Sequence, residues 1–122
     1  MKVDFHTLTK NDNYIGIALV TYGNIDFNIF FNTPLNIEEK ENEILIFNYF
    51  HISSDARGNG SLWIKEIINY YKNKKFKSIY LKSSHEKVFS LYNRLGIEIG
   101  QYNNWSDNHL FLRQGKIFKI SI

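Results

Sequence analysis

Asp55-Ala56-Arg57-Gly58-Asn59-Gly60-Ser61 joins two segments of opposite character. Before it, Ile44 to Ile52 is nearly all apolar and rich in Ile and Phe, the pattern of a central strand covered on both faces. After it, Leu62, Ile64, Ile67, Ile68 and Tyr71 recur at helical spacing, with Lys65, Glu66, Asn69 and Lys72 opposite. A strand, a short Gly-rich turn and a helix start form a natural anion site. The first helical turn leaves backbone N–H groups without intrahelical partners, and the helix dipole adds partial positive charge there. Glycine keeps side chains out of the way of a phosphate that approaches those groups.

Downstream, Lys72-Asn73-Lys74-Lys75 closes the helix with basic residues, as its dipole favours. This lysine run reads as a solvated helix end rather than a phosphate contact. Ser78 to Lys82 reads as a short strand. Ser83-Ser84-His85-Glu86 offers a second helix start, and Val88, Leu91, Tyr92 and Leu95 mark one face of that helix. Gly96 suits its C-terminal cap. Ile97 to Tyr102 reads as a strand, Asn103 to Asp107 as a polar loop, and 109–113 with 116–120 as a hairpin about Gln114-Gly115. That terminal hairpin would present an edge for pairing with a second copy of the chain.

Upstream, Lys2 to Leu8 and Tyr14 to Tyr22 alternate as strands. Ile25, Phe27, Ile29 and Phe31 alternate after the Gly23-Asn24 turn signal, so residues 14–32 are expected to form a hairpin. Pro34 sits in a loop that continues through the acidic run Glu38-Glu39-Lys40-Glu41. The expected class is α+β: a mixed central sheet of seven to eight strands with two main helices, in one domain spanning residues 1–122.

Composition bounds the function. With 122 residues and 43% hydrophobic content, the chain can build one core. A net charge of +3 is too small to argue for nucleic acid, and no RNP-like aromatic motif supports it. There is no cysteine, hence no disulfide framework or thiol nucleophile. His6, His51, His85 and His109 are scattered without ligand spacing, so no metal site is expected. Neither a signal-type apolar block nor a run of the ~20 apolar residues that span a bilayer is present, so a cytoplasmic protein without membrane contact is expected.

Residues 44–102 resemble the GNAT superfamily of acyl-CoA-dependent N-acyltransferases. Arg57-Gly58-Asn59-Gly60-Ser61-Leu62 matches the first four positions of that family's Arg/Gln-x-x-Gly-x-Gly/Ala phosphate loop, with Leu62 at the sixth. Leu91-Tyr92-Asn93-Arg94-Leu95-Gly96-Ile97 matches its Leu-Tyr-x-x-x-Gly-Phe helix, with Ile97 replacing Phe. One helix and one short strand lie between the two motifs, as in the family. The family usually places two helices between its first two strands, and the interval from Leu8 to Tyr14 has no room for them. Those helices help wall the family's acceptor site. Their absence implies an open site, a wall borrowed from a partner, or a macromolecular acceptor.

The resemblance implies transfer of an acetyl group from acetyl-CoA to an amine of a small molecule or a protein. The alternative is a catalytically silent GNAT-like domain that binds coenzyme A or a protein. Arg57, Gly58, Asn59, Gly60 and Ser61 would hold the pyrophosphate, and Phe50 and Ile52 on the central strand would flank the pantetheine arm. His85 stands where the family often has a cofactor-touching Asn. Tyr92 matches the family's general acid, since a phenol keeps its proton at neutral pH and can give it to a thiolate. His51 on the central strand is the candidate base, ahead of Glu43 at the start of that strand.

Overall fold

The computed structural model describes residues 1–31, 35–53, 59–84, 86–105 and 108–122. The sheet has six strands in the order β1-β2-β3-β4-β6-β5. They are β1 (Lys2–Lys10), β2 (Asn13–Tyr22), β3 (Ile44–Ile52), β4 (Ser78–Ser83), β5 (Ile97–Trp105) and β6 (Leu112–Ser121). Every pair is antiparallel except β3 with β4. Helix α2 (Gly60–Lys72) makes the crossover between that parallel pair, and α3 (Glu86–Leu95) follows β4. The class is α+β with a mixed sheet and two main helices, as the sequence implies, but with six strands rather than seven or eight.

Both long helices pack on one face of the sheet. Trp63, Ile64, Ile67 and Tyr71 of α2 and Tyr92 of α3 join Ala18, Val20, Leu45, Phe47, Ile79, Leu81, Phe118 and Ile120 in one core. Each large side chain there contributes about 1.5–3 kcal/mol on leaving water. A second, smaller core on the other face joins Ile44, Ile46, Tyr80 and Ile117 to Phe31 and the segment around Leu35 and Ile37. That second layer covers only part of its face. Over β1 and β2, Val3 and Phe5 remain 46% and 73% exposed.

Four expectations fail. β5 runs on to Trp105, through part of the stretch 103–107 expected to be a polar loop. Residues 14–32 are not a hairpin. The first hairpin is β1 with β2, closed by Asn11 and Asp12 at φ 52° and 65°, the left-handed pair that a two-residue turn requires. β2 then has β1 on one edge and β3 on the other. No edge is left for a strand at 25–31, which instead forms the short helix α1 (Phe27–Phe31) with Phe31 buried. The Phe30 N–H donates to the Asp26 carbonyl at 2.9 Å.

Residues 109–120 are not a hairpin either. Gln114 and Gly115 lie inside β6, paired with Asn103 and Tyr102 of β5. The glycine marks a close approach rather than a turn, because a Cβ at Gly115 would meet the Tyr102 ring at 2.1 Å. β6 is also interior, between β4 and β5, so the free edges of the sheet belong to β1 and β5. Gly96 likewise serves contact rather than a left-handed cap. Its φ is not positive, and a Cβ there would meet the Lys119 carbonyl oxygen at 2.1 Å.

Buried polar groups tie the layers together. Tyr71 of α2 donates to the Asp4 carboxylate at 2.8 Å and lies 2.7 Å from His6 Nε2, which fastens β1 to the helix. On the other face, Glu39 accepts from Ser78 at 2.9 Å and Tyr80 at 2.7 Å and is ion-paired with Lys119. Burial pushes the Glu39 pKa up, but the hydrogen bonds from Lys119, Tyr80 and Ser78 outweigh it and hold the pKa at about 2. Glu39 thus pins the segment before β3 to β4 and β6.

Two outcomes follow for stability. Glu39→Gln will lower it by about 1–3 kcal/mol at neutral pH, read from the urea midpoint, because Ser78, Tyr80 and Lys119 lose a charged acceptor. The folded pKa lies below the ordinary value of 4.5, so this contribution is complete above 4.5 and is lost as pH falls toward 2. The gap between wild type and variant will therefore close across that interval. Gly96→Ala will cost about 1–3 kcal/mol, since the new methyl displaces backbone rather than a flexible side chain.

Candidate functional site

The β3–β4 ladder is short. Ile44, Leu45, Ile46 and Phe47 pair with Ser78, Ile79, Tyr80 and Leu81, and no pairing continues beyond Phe47 and Leu81 among the described residues. Both strands run on, however, each with its outer neighbour. β3 follows β2 as far as the Gly16–Ile52 pair, and β4 follows β6 to the Ser83–Lys116 pair. The parallel strands therefore part, and a cleft opens between them.

A β-bulge accompanies the parting. Val20 pairs with Phe47 and Leu19 with Tyr49, so Asn48 is an extra residue on β3. Such a residue bends its strand and re-aims the side chains beyond it. Asn48 is held by the buried Thr21 hydroxyl, which donates to its side-chain oxygen. Beyond the bulge, Phe50 and Ile52 return to the helix side. Phe50 packs on Trp63 at 5.1 Å between ring centroids and on Phe47 at 5.8 Å.

The cleft encloses about 230 Å³. Phe47, Asn48, Tyr49 and Phe50 line it from β3, Leu81, Lys82, Ser83 and Ser84 from β4, and Tyr92 and Tyr102 from α3 and β5. It passes between the two faces of the sheet. Phe47, Phe50, Leu81 and Tyr92 belong to the helix-side core, whereas Tyr102 packs with the core of the other face. A larger depression of about 570 Å³ lies beside α1, lined by Ile25, Asp26, Phe27, Leu35, Ile37 and Glu41. It lies at the opposite end of β3 from the bulge and brings none of the expected site residues together.

Tyr92 is 5% exposed and packs against Phe118 at 5.4 Å. Burial pushes its hydroxyl up to about 12, so the phenol holds its proton throughout the physiological range. Lys82 donates to the Phe30 carbonyl at 2.9 Å and lies over the Phe30 and Tyr102 rings. Its pKa is lowered by partial burial.

Of the site residues expected from the sequence, Phe50 and Tyr92 meet in this cleft. Ile52 stands on the same side beside Gly60, where a Cβ would find it at 3.8 Å. Asn59, Gly60 and Ser61 form the start of α2, with Asn59 as N-cap making no side-chain cap hydrogen bond. The first-turn N–H groups are thus not sealed by the residue best placed to seal them. Leu62 is 61% exposed on the outer side of that turn. His51 is exposed and does not line the cleft; its ring stacks on Tyr49 at 6.3 Å. Glu43 lies at the far end of β3, paired with Lys77 at 2.7 Å. Arg57, Gly58 and His85 lie outside the described residues.

Asn48, Lys82, Ser84 and Tyr102 are cleft residues that the sequence reading did not single out. Asn48 carried a signal, as a polar interruption in the apolar run Ile44 to Ile52. The other three are brought to the cleft by strand pairing alone.

No protein-family model and no curated protein sequence matches the chain. Solved structures do. An acetyltransferase from Bacillus cereus ATCC 14579 superposes with a TM-score of 0.68 at 17% identity, over 99% of this chain and 74% of that one. A GNAT family acetyltransferase from Elizabethkingia anophelis with acetyl-CoA bound gives 0.67 at 13% identity, over 98% and 76%. The ribosomal-protein-S18-alanine N-acetyltransferase from Escherichia coli gives 0.70 at 15% identity, over 97% and 69%. The fold is that of the GNAT acetyltransferases.

The bulge can be tested by a double-mutant cycle. Asn48→Ala will cost about 1–2 kcal/mol, because it leaves the buried Thr21 hydroxyl without its acceptor. Thr21→Val in that background will cost far less than Thr21→Val in the wild type, as urea titration of the four proteins will show.

Proposed function

We propose that this chain, which has the GNAT fold, belongs to the GNAT superfamily and is an N-acetyltransferase that uses acetyl-CoA and acts on an amine acceptor. The observation that carries the reading is the parting of β3 and β4 at Phe47 and Leu81, with the buried Tyr92 in the gap. The solved GNAT enzyme from Elizabethkingia anophelis, with acetyl-CoA bound, supports the choice of donor. A cytoplasmic setting fits the reading, and no helix among the described residues is long and apolar enough to cross a membrane.

The residues present fit the donor. The start of α2 at Gly60 and Ser61, uncapped by Asn59, offers N–H groups and a partial positive charge to a pyrophosphate. Arg57 and Gly58 extend that assignment by sequence. The cleft-side edge of β3 beyond Phe47 has no ladder partner among the described residues, so its backbone groups are available to an extended arm between Phe50 and Ile52. Acetyl-CoA held there would present its thioester carbonyl to the amine, the acetyl group passing to nitrogen and coenzyme A leaving as the thiolate.

Tyr92 holds a proton at its hydroxyl and is the chain's donor to that thiolate. Burial raises its pKa to about 12 and keeps the phenol protonated and neutral across the physiological range. His51 stands behind the Tyr49 ring and outside the cleft lining, so it takes the acceptor's proton only through water. His85 is retained as a cofactor contact from its sequence position.

Calorimetry with acetyl-CoA and a coupled thiol-release assay test this reading. Acetyl-CoA will bind with a dissociation constant below millimolar. Tyr92→Phe will lower kcat by about a hundredfold with that constant unchanged, in the range of general acid catalysis. Wild-type kcat will show no loss from tyrosine ionisation until the pH approaches 12. A Tyr92→Phe protein with undiminished turnover removes Tyr92 as the acid, and failure to bind acetyl-CoA removes the whole assignment.

A further inference from the structure

We infer that the far-face mouth of the cleft selects an acceptor amine that carries its own anionic group, with Lys82 as the residue that reads the anion. The inference deepens the acetyltransferase reading and rests on it.

The two mouths of the cleft differ in chemistry. Side chains alternate along β3 and β4, so the helix side receives Leu45 and Phe47, Ile79 and Leu81, and beyond the bulge Phe50. The far side receives Ile44 and Ile46 with Tyr80. By the same alternation Tyr49 and Lys82 face away from the helices. Tyr102 and Phe30 pack with the far-face core. The α2 start, which is the anion end of the donor site, lies on the helix side with Trp63 and Ile64. A donor that enters there leaves the opposite mouth to the acceptor.

Among the described residues that mouth is aromatic, with a single cation. Tyr49, Lys82, Ser84 and Tyr102 line it, and none of the ten residues lining the cleft is acidic. An acceptor with several ammonium groups would meet a lysine and no carboxylate in this lining. An acceptor with a carboxylate beside its amine would meet the charge it needs. Lys82 is placed for that role. Its ammonium is oriented by the Phe30 carbonyl at 2.9 Å and by two rings at 5.0 and 5.7 Å, yet the side chain remains exposed. An ammonium has three donors, and the Phe30 carbonyl takes one. Partial burial strengthens a charge-assisted hydrogen bond to an incoming carboxylate.

A cation at this point also serves the reaction. Only the neutral amine attacks a thioester, and a nearby positive charge favours the neutral form of an amine. Lys82 would then hold the carboxylate and ease loss of the acceptor's proton together. The flanking rings of Tyr49, Tyr102 and Phe30 suit an apolar side chain, so an aromatic α-amino acid is the probe of choice.

The test compares L-phenylalanine, L-phenylalaninamide and spermidine. Binding is read from backbone NMR shifts with the protein saturated in coenzyme A, and again without it, while turnover is read from thiol release with acetyl-CoA. L-Phenylalanine will bind, and will be acetylated, about tenfold or more better than its amide, with spermidine weakest. Lys82→Met will erase the preference for the acid over the amide, and Lys82→Arg will retain it. Equal binding of acid and amide, preference for spermidine, absence of L-phenylalanine binding at millimolar concentration, or an equal fall for acid and amide in Lys82→Met would each overturn the inference. Binding of L-phenylalanine that depends on Lys82, in a protein that neither binds acetyl-CoA nor releases thiol, would leave the anion site standing and remove the transferase reading instead.

Discussion

Among the described residues the parallel β3–β4 ladder stops four pairs in, and the cleft between the two strands depends on that stop. A sheet satisfies its backbone by continuous pairing, so an interior ladder that ends early must be compensated. Here each strand keeps its outer partner, β2 for β3 and β6 for β4. Only the inner edges are given up. The Asn48 bulge supplies the bend that lets β3 follow β2 away from β4, and its bond from Thr21 holds the extra residue in place. The cleft is thus a consequence of strand registry and not of loops folded over a surface.

The parts legible in the sequence are those whose signal is local. β3 occupies Ile44–Ile52, the bounds of the apolar run, and α2 and α3 fall where the helical period lies. The parts that were not legible depend on which edge is free. Alternation at Ile25, Phe27, Ile29 and Phe31 reads as a strand, but β1 and β3 already occupy both edges of β2. A five-residue helix buries Phe31 just as well. Gly115 reads as a turn residue because the ring that requires a glycine there, Tyr102, comes from another strand. The same division holds at the cleft. Phe50 and Tyr92 sit in recognisable local motifs, whereas Lys82 and Tyr102 are brought together by registers that no local window contains.

The two faces of the sheet are built to different standards. The helix face buries Trp63, Ile64, Ile67, Tyr71 and Tyr92 on a continuous apolar floor. The other face is closed over β4 and β6 by a short helix and a connecting segment, pinned by Glu39. Over β1 and β2 it stays open, with Phe5 73% and Ile17 39% exposed. The hairpin turn at Asn11 and Asp12 shows how this arises, since two residues join strands where the GNAT pattern usually inserts two helices. The far-face mouth of the cleft is bordered by the segment that carries Phe30, through the contacts of Phe30 with Lys82.

Tyr92 belongs both to the helix-side core and to the lining of the cleft. Its ring packs in the helix-side core against Phe118, and its carbonyl accepts from the Gly96 N–H at 2.8 Å. Gly96 in turn admits β6 so closely that any side chain would strike the Lys119 carbonyl. The end of α3 is thereby fixed against β6, the strand that β4 follows beyond Leu81. Tyr92 thus lines the cleft from α3, and its burial raises the pKa of its hydroxyl to about 12. A hydroxyl mounted on a loop would gain solvent and lose that shift. One mounted between a helix and a diverging strand stays protonated across the physiological range and can offer that O–H as a hydrogen-bond donor.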